Sequence, residues 1–311
     1  LATALGTASS TSANTPAAGG SPGAPLPSSA ASGAALGGMP TSAPMPAEPV
    51  SELGLYVPAT GGAQRLPLLI FLHGLGGSGA ELSSYLRLKE FSELRGFGFM
   101  APDGDMDFAG RRYWNATRSC CDFDGRQPDH VARLRALLEK ARKHARVDAK
   151  RIYLIGYSNG GFLAHRAGCE LTRLLAGIVS VAGAGPSEAE PCTPSGALSA
   201  LQIHGTRDPI VALDGGYLFA DRRFPPHPSA AASIERWARN AACAEQSRRT
   251  GSVDLDPMLP GGETEVYAYA GCRGARVELW RIVGGGHASG LSPFSLDAIW
   301  RFIEALGSEG R

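Results

Sequence analysis

A serine flanked by glycines is the first feature of this sequence that could do chemistry. Gly156-Tyr157-Ser158-Asn159-Gly160 follows the strand-like run Arg151–Ile155 and precedes a helical pattern. A serine at such a strand–turn–helix junction is typical of a nucleophile that attacks a carbonyl carbon. The glycines suit a tight turn in which a Cβ atom would clash with neighbouring backbone. We therefore predict that Ser158 is the nucleophile.

The same glycine–serine spacing occurs a second time, at Gly19-Gly20-Ser21-Pro22-Gly23. No strand-like run precedes this copy, and it lies in a segment of low sequence complexity. The context, and not the bare pattern, selects Ser158.

A serine nucleophile needs a base, and the base needs an acid that orients it. His287 ends the loop Gly284-Gly285-Gly286-His287 after the strand-like run Val277–Val283. We predict it as the base, because a flexible loop there presents an imidazole at the end of a strand. Among the other histidines that follow Ser158, His165 falls within a helical pattern and is expected to pack, and His227 lies in a proline-rich loop.

The acid is predicted from the turn His204-Gly205-Thr206-Arg207-Asp208-Pro209. Here a strand-like run leads directly into Asp208, and the chain order serine, acid, histidine is the one expected for this type of site. Asp214 and Asp221 remain alternatives for this role. The predicted triad is Ser158, Asp208 and His287.

A second glycine-rich loop, His73-Gly74-Leu75-Gly76-Gly77, follows the apolar run Leu66–Leu72. Such a turn lets backbone N–H groups face a substrate and stabilise the negative oxygen that forms during acyl transfer. We assign the two oxyanion donors to the backbone amides of Leu75 and Asn159. His73 and Tyr157, which border these two turns, are candidate substrate-binding residues.

The elements that must position these residues alternate between strands and helices. Continuous apolar runs predict strands at Leu53–Val57, Leu66–Leu72, Phe97–Ala101, Arg151–Ile155, Gly177–Val181, Ala200–His204 and Val277–Val283. Helical spacing is found at Asp129–Arg146, Asn159–Cys169, Ala231–Ala242 and Ser295–Leu306. This order predicts an α/β fold with a mostly parallel sheet, whose functional groups collect at the carboxyl ends of the strands.

Composition limits the class of protein and its organisation. The 311 residues carry a formal net charge of +1, and 19% of them are charged, which argues against nucleic-acid binding. No apolar run is long enough to span a membrane. Residues 1–48, rich in Ala, Gly, Ser, Thr and Pro, are predicted to be a disordered stalk, and residues 49–311 a single domain. Because Leu1 is not a start methionine, we expect a signal peptide to have been removed from a secreted, periplasmic or cell-surface protein.

Six cysteines in a protein expected to be exported favour disulfides over a metal site, since no CxxC pair is present. They are Cys120, Cys121, Cys169, Cys192, Cys243 and Cys272. Cys243 ends a helical pattern and Cys272 precedes a strand, with a glycine- and proline-rich loop between them, so we predict that these two form a bridge. Cys120 and Cys121 could reach Cys169 and Cys192, and this pairing remains open.

Taken together, the motifs resemble those of the secreted polyhydroxybutyrate depolymerase-like esterases and of the related feruloyl and acetylxylan esterases. The likeness covers roughly residues 50 to 310. It rests on the HGLGG loop at 73–77, Tyr113-Trp114-Asn115 before Cys120-Cys121, GYSNGG at 156–161, His204-Gly205-Thr206 with Asp208-Pro209, Trp237-Ala238 before Cys243, Gly271-Cys272, and GGGH at 284–287.

The resemblance implies an α/β-hydrolase fold, secretion, disulfides, no cofactor and no metal, and a small or oligomeric ester as substrate. Within it, 3-hydroxybutyrate oligomers compete with feruloyl and acetyl esters. Trp114, in the family's Trp-Asn-Ala segment, is expected to line the acyl pocket. An acyltransferase and a non-hydrolytic binding protein on the same fold remain alternatives.

Two features depart from the family pattern. His287-Ala288-Ser289-Gly290 stands where the family usually has Trp-Pro-Gly shortly after the histidine, a departure that bears on the substrate more than on the chemistry. The segment Gly215–Ser229, with two arginines and three prolines, is unusual and is predicted to form part of the cleft rim.

Overall fold

The computed structural model of the chain describes residues 54–59, 62 and 64–308. The predicted stalk, residues 1–48, and the second glycine–serine motif lie outside this range. Within the described residues, no helix is both long enough and apolar enough to cross a membrane.

A sheet of eight strands forms the centre of the domain. Its strands are β1 (Leu66–Leu72), β2 (Gly98–Met100), β5 (Val147–Tyr157), β6 (Gly177–Val181), β7 (Ser199–Gly205), β8 (Arg248–Val253), β9 (Thr264–Ala268) and β10 (Val277–Ile282). Their spatial order is β2-β1-β5-β6-β7-β10-β9-β8. The first six are parallel, and β9 and β8 extend one side of the sheet in antiparallel pairing. A separate two-stranded ribbon pairs β3 (Asp105–Met106) with β4 (Arg112–Tyr113).

Helices cover both faces of the sheet. They are α1 (Gly79–Tyr85), α2 (Leu88–Arg95), α3 (His130–Ala141), α4 (Asn159–Leu171), α5 (Ala230–Asn240) and α6 (Pro293–Ser308). One apolar core lies between the sheet and α3, α4 and α5, and a second lies between the opposite face and α1, α2 and α6. Every residue of β1 and β7 is buried, which explains why both strands read as continuous apolar runs. The predicted α/β-hydrolase architecture is confirmed.

The antiparallel extension differs from the sequence prediction. The segment between Cys243 and Cys272, predicted to be a loop, contains β8 and β9. The first five residues of β8, Arg-Arg-Thr-Gly-Ser, are all exposed, so no apolar alternation marks this strand. A register shift between Arg249 and Gly251 interrupts its pairing with β9. At the start of the domain, the predicted strand over residues 53–57 is reduced to a single bridge between Tyr56 and Phe99.

All six cysteines are paired. Cys243 joins Cys272, as the sequence predicted. Cys169, in α4, joins Cys192 in the loop after β6, with Cα atoms 5.1 Å apart. Cys120 and Cys121 pair with each other, and not with Cys169 and Cys192 as the sequence had allowed, because those two already meet at the end of α4.

Candidate active site

Ser158 stands at the sharp turn between β5 and α4. Its backbone has φ 51° and ψ −118°, a region that side-chain-bearing residues rarely adopt. The two glycines of the motif have no room for a side chain. A Cβ atom on Gly156 would lie 2.0 Å from the Gly160 carbonyl oxygen, and one on Gly160 would lie 2.2 Å from the Leu72 carbonyl oxygen. The turn therefore requires both glycines, and it lifts Ser158 above the sheet.

The structure brings Ser158, His287 and Asp208 into one hydrogen-bonded row. The Ser158 Oγ lies 2.9 Å from His287 Nε2, and His287 Nδ1 lies 2.7 Å from Asp208 Oδ2. The three residues follow β5, β10 and β7, so each stands at the carboxyl end of a parallel strand. This arrangement lets the imidazole accept the serine proton on one side while a carboxylate holds its other nitrogen.

The Asp208 carboxylate is buried and held by several donors. Its Oδ1 accepts hydrogen bonds from the backbone N–H groups of Ile210 (2.8 Å) and Val211 (2.9 Å), and His204 Nε2 lies 3.3 Å from its Oδ2. Burial alone would raise the pKa of Asp208, but hydrogen bonds from His204 and His287 lower that pKa well below the usual range of a carboxyl group. The group is thus a fixed anion at neutral pH.

The two alternative acids, Asp214 and Asp221, have surroundings other than His287. The Asp221 carboxylate pairs with the Arg223 guanidinium at the surface, and Asp214 is exposed. Of the three aspartates considered from the sequence, the structure brings Asp208 to the histidine.

The loop that carries Leu75, one of the two predicted oxyanion donors, passes close to Ser158, and the other predicted donor, Asn159, follows the serine in sequence. Gly74 borders Ser158 so closely that a Cβ atom on Gly74 would lie 3.4 Å from the Ser158 Cβ. The loop is closed by a hydrogen bond from the Gly77 N–H to the Gly74 carbonyl oxygen (3.1 Å). Within the described part of the chain, the backbone amides of Leu75 and Asn159 donate to no protein acceptor. Both are thus available to an oxygen of a substrate.

Two of the three candidate substrate-binding residues are buried beneath the site. Trp114 is 2% exposed, and its indole N–H donates to the His73 carbonyl oxygen at 2.9 Å. His73 is also 2% exposed, and its Nε2 accepts from the Gly104 N–H at 3.0 Å. The positions of both residues differ from the prediction. Their hydrogen bonds direct the two rings into the protein, where they support the oxyanion loop, and not towards a ligand.

Tyr157, the third candidate, lies beside His287. It is half-buried, and its ring centroid lies 5.4 Å from that of His287. Burial, with a smaller effect from the Asp208 charge, raises the pKa of Tyr157 to about 12. The phenol is thus neutral at the pH of any esterase assay, and its ring forms one wall beside the base.

The buried side chain of Asn159 has a role that the sequence did not reveal. Its Oδ1 accepts from the Trp114 N–H at 2.7 Å, and its Nδ2 donates to the Trp114 carbonyl oxygen at 2.8 Å. The residue after the nucleophile therefore clamps the main chain of a loop 45 positions away. The local sequence of the Trp-Asn-Ala segment does not show which residue holds this loop.

The remaining histidines have structural contacts. His165 is buried between Gln202 Oε1 (2.8 Å from its Nε2) and the Trp237 indole N–H (2.9 Å from its Nδ1), as expected for a packing residue. His227 is buried against the ring of Phe162.

Comparison with known proteins shows the family of this chain. Residues 59–223, more than half of the chain, match the sequence profile of the phospholipase/carboxylesterase family. The chain belongs to this family. It is 30% identical over 228 residues to NocK of Nocardia uniformis subsp. tsuyamanensis, a protein named as an esterase, and 28% identical over 252 residues to feruloyl esterase B of Piromyces equi. The alignments cover 71% and 78% of this chain but 64% and 43% of those relatives' own lengths.

A solved structure supports the fold. The acetyl xylan esterase from Aspergillus awamori superimposes with a TM-score of 0.55 at 13% sequence identity, covering 80% of this chain and 93% of the other. The expectation of an esterase with the α/β-hydrolase fold is therefore confirmed.

Proposed function

We propose that this phospholipase/carboxylesterase family member is a serine carboxylic-ester hydrolase that works through an acyl-enzyme. The observation that carries the proposal is the unbroken row from Ser158 Oγ through His287 to Asp208, with separations of 2.9 and 2.7 Å. Both distances are those of hydrogen bonds, so the base is within reach of the proton that it must remove.

The proposed reaction uses these residues in two halves. His287 Nε2 takes the Ser158 proton as Oγ attacks the ester carbonyl carbon, and the Asp208 carboxylate stabilises the imidazolium that forms. The backbone amides of Leu75 and Asn159 hold the negative oxygen of the tetrahedral intermediate. His287 then protonates the leaving alcohol. A water molecule, deprotonated by His287, releases the acid and restores Ser158.

The proposed substrate is a feruloyl or acetyl ester of a soluble carbohydrate or oligomer. A relative that is 28% identical is named a feruloyl esterase, and the sequence motifs resemble the feruloyl and acetylxylan esterases. The half-buried ring of Tyr157 beside His287 offers an apolar wall for the acyl group. Esters of 3-hydroxybutyrate oligomers are the competing substrate.

The same proposal has the protein act outside the cytoplasm. All six cysteines are joined in disulfides, which persist in oxidising compartments and are rare where glutathione keeps thiols reduced. A thiol titration of the unreduced protein should find no free thiol, and six free thiols would contradict this part of the proposal.

The first experiment compares acid release from methyl ferulate and from a short 3-hydroxybutyrate oligomer, with Ser158→Ala as the control. We expect release from methyl ferulate to be faster and the Ser158→Ala variant to lose several orders of magnitude in turnover. Equal rates for Ser158→Ala and the wild type would overturn the mechanism. Transfer of the acyl group to an added alcohol, in place of acid release, would favour the alternative that the protein is an acyltransferase.

A further inference from the structure

The loop that carries His287 is rich in glycine on both sides. Gly284, Gly285 and Gly286 precede the histidine and Gly290 follows it, and Gly284 and Gly290 have φ values of +82° and +85°. Glycine gives a chain more freedom than any other residue. A general base must nevertheless stay within a fraction of an ångström of its working position. The protein therefore needs contacts that hold this loop.

The first half of the loop is held by the end of β7. The Gly284 N–H donates to Thr206 Oγ1 at 2.9 Å, and the Arg207 N–H donates to the Gly285 carbonyl oxygen at 2.8 Å. These bonds hold Gly284 and Gly285, but they do not involve Gly286, the residue immediately before the histidine.

Ser289 joins the two sides of His287. Its Oγ accepts from the Gly286 N–H at 3.1 Å and donates to Asp256 Oδ2 at 2.7 Å. Ser289 lies two positions after the histidine, and its hydroxyl thus bonds to Gly286, the residue just before the histidine. The same hydroxyl bonds to Asp256, which lies outside the loop and serves as an anchor. Hydrogen bonds to a carboxylate are among the stronger ones in proteins.

The anchor, Asp256, is itself fixed. It lies in the connection between β8 and β9, where its N–H donates to Glu263 Oε1 (3.1 Å) and its Oδ1 accepts from the Met258 N–H (3.0 Å). Glu263 Oε1 also accepts from the Leu255 N–H at 2.9 Å and the Thr264 hydroxyl at 2.7 Å. Asp256 thus projects from a braced turn of the antiparallel extension.

We propose that Ser289 and Asp256 are positioning residues that hold His287 in register with Ser158 and Asp208, so that the β8–β9 extension supports catalysis. Neither residue touches the reacting atoms. They act through the backbone on either side of the imidazole. This inference rests on the proposed hydrolase function, because it needs His287 to be the base.

The test uses three serine variants of the full chain. Ser289→Ala removes both hydrogen bonds of the hydroxyl, and Ser289→Thr keeps the hydroxyl. Ser292→Ala is the matched control, because Ser292 lies three residues further on and, among the residues that the structure describes, its hydroxyl hydrogen-bonds only to Ser295 at the start of α6.

We expect Ser289→Ala to lower kcat for a soluble ester by about 10- to 100-fold with KM changed by less than about two-fold, since a misplaced base affects the chemical step. Ser289→Thr should recover most of this loss. Ser292→Ala should lower the Tm through the lost helix cap while kcat stays at the wild-type value. A kcat for Ser289→Ala within about two-fold of wild type would overturn the proposal.

A second readout does not depend on turnover. In the wild-type protein labelled with ¹⁵N-histidine, the imidazole signal of His287, assigned by its loss in His287→Gln, should report one tautomer, with the proton on Nδ1 facing Asp208. In Ser289→Ala we expect this signal to shift or broaden as the ring samples other positions. An unchanged signal would overturn the positioning role. If the wild type hydrolysed no ester, the hydrolase proposal would fail while this spectrum still decided the role of Ser289.

Discussion

The side chain of Asp208 offers the sharpest test at the scale of single residues. Asp208→Asn keeps the size of the group but removes the charge that holds the His287 Nδ1–H and stabilises the imidazolium. We expect kcat to fall by about three to four orders of magnitude in an assay with a soluble ester.

The two alternative acids serve as matched controls for this substitution. Asp221 pairs with Arg223 and Asp214 is exposed, so Asp214→Asn and Asp221→Asn should stay within about two-fold of the wild-type rate. A loss in either control as large as that in Asp208→Asn would contradict the assignment of the acid.

The amide side chain of Asn159 is the second test at this scale. Asn159→Ala removes the acceptor of the buried Trp114 N–H, and it leaves the Trp114 carbonyl oxygen with the longer hydrogen bond from the Cys121 N–H (3.4 Å). A buried group without a partner costs about 1–3 kcal/mol. We expect a lower Tm together with a kcat reduced by about 10-fold or more, because the loop behind the oxyanion donors loses its clamp. Steady-state kinetics beside a thermal melt would show both effects, and an unchanged kcat would mean that the clamp serves stability alone.

The sequence alone was enough to predict which side chains meet at the triad, but it was not enough to predict which way two aromatic rings near the site face. Ser158, Asp208 and His287 could be selected because each follows a strongly apolar strand, and parallel strands bring their carboxyl ends together. Trp114 and His73 could not be placed in the same way. Whether an aromatic ring faces a ligand or the protein interior depends on partners far away in sequence, here Asn159 and Gly104.

At the scale of elements, the junction of α4 with β1 depends on one glycine. In Gly160→Ala the new methyl would overlap the Leu72 carbonyl oxygen, a backbone atom that cannot move without shifting β1. We expect a loss of about 2–4 kcal/mol in the free energy of unfolding, or no soluble protein at all.

The matched control for this element is Gly196→Ala. Gly196 is exposed, has no positive φ, and a Cβ atom there would meet nothing within 4 Å. Its free energy of unfolding, measured in urea, should change by less than about 0.5 kcal/mol. Equal stability of the two variants would show that α4 can move away from the strand.

Strands were predicted accurately from the sequence where they are buried, and they were missed where they are exposed. The strands buried on both faces, β1, β6 and β7, have apolar runs whose limits agree with the structure within a residue. The exposed strand β8 and the short helices α1 and α2 gave no such signal, because their place is set by pairing and packing against the rest of the sheet.

The stability of the whole molecule should depend on pH through its buried histidines. Burial lowers the pKa of both His165 and His130 from 6.5 to about 4. As the pH falls below about 6.5, the unfolded chain binds protons at these positions and the folded chain does not. The free energy of unfolding should therefore decrease between about pH 6.5 and pH 4, by roughly 3 kcal/mol for the fully buried His165.

Urea unfolding at a series of pH values would measure this decrease. His165→Gln should flatten the profile, whereas His144→Gln, at an exposed position, should leave its slope unchanged. A profile that is flat for the wild type would contradict the assignment of neutral, buried imidazoles.

The two margins of the sheet bear on how molecules of this protein meet one another. At one margin, β2 has three residues and is already bridged by Tyr56, whose N–H and carbonyl group pair with Phe99. At the other, β8 presents Arg248 and Arg249 beside an irregularity in its pairing. Two copies that approached each other through this edge of the sheet would bring positively charged arginine side chains together along a strand with irregular pairing. A concentrated solution of the protein should for this reason stay dispersed and resist fibrillar aggregation.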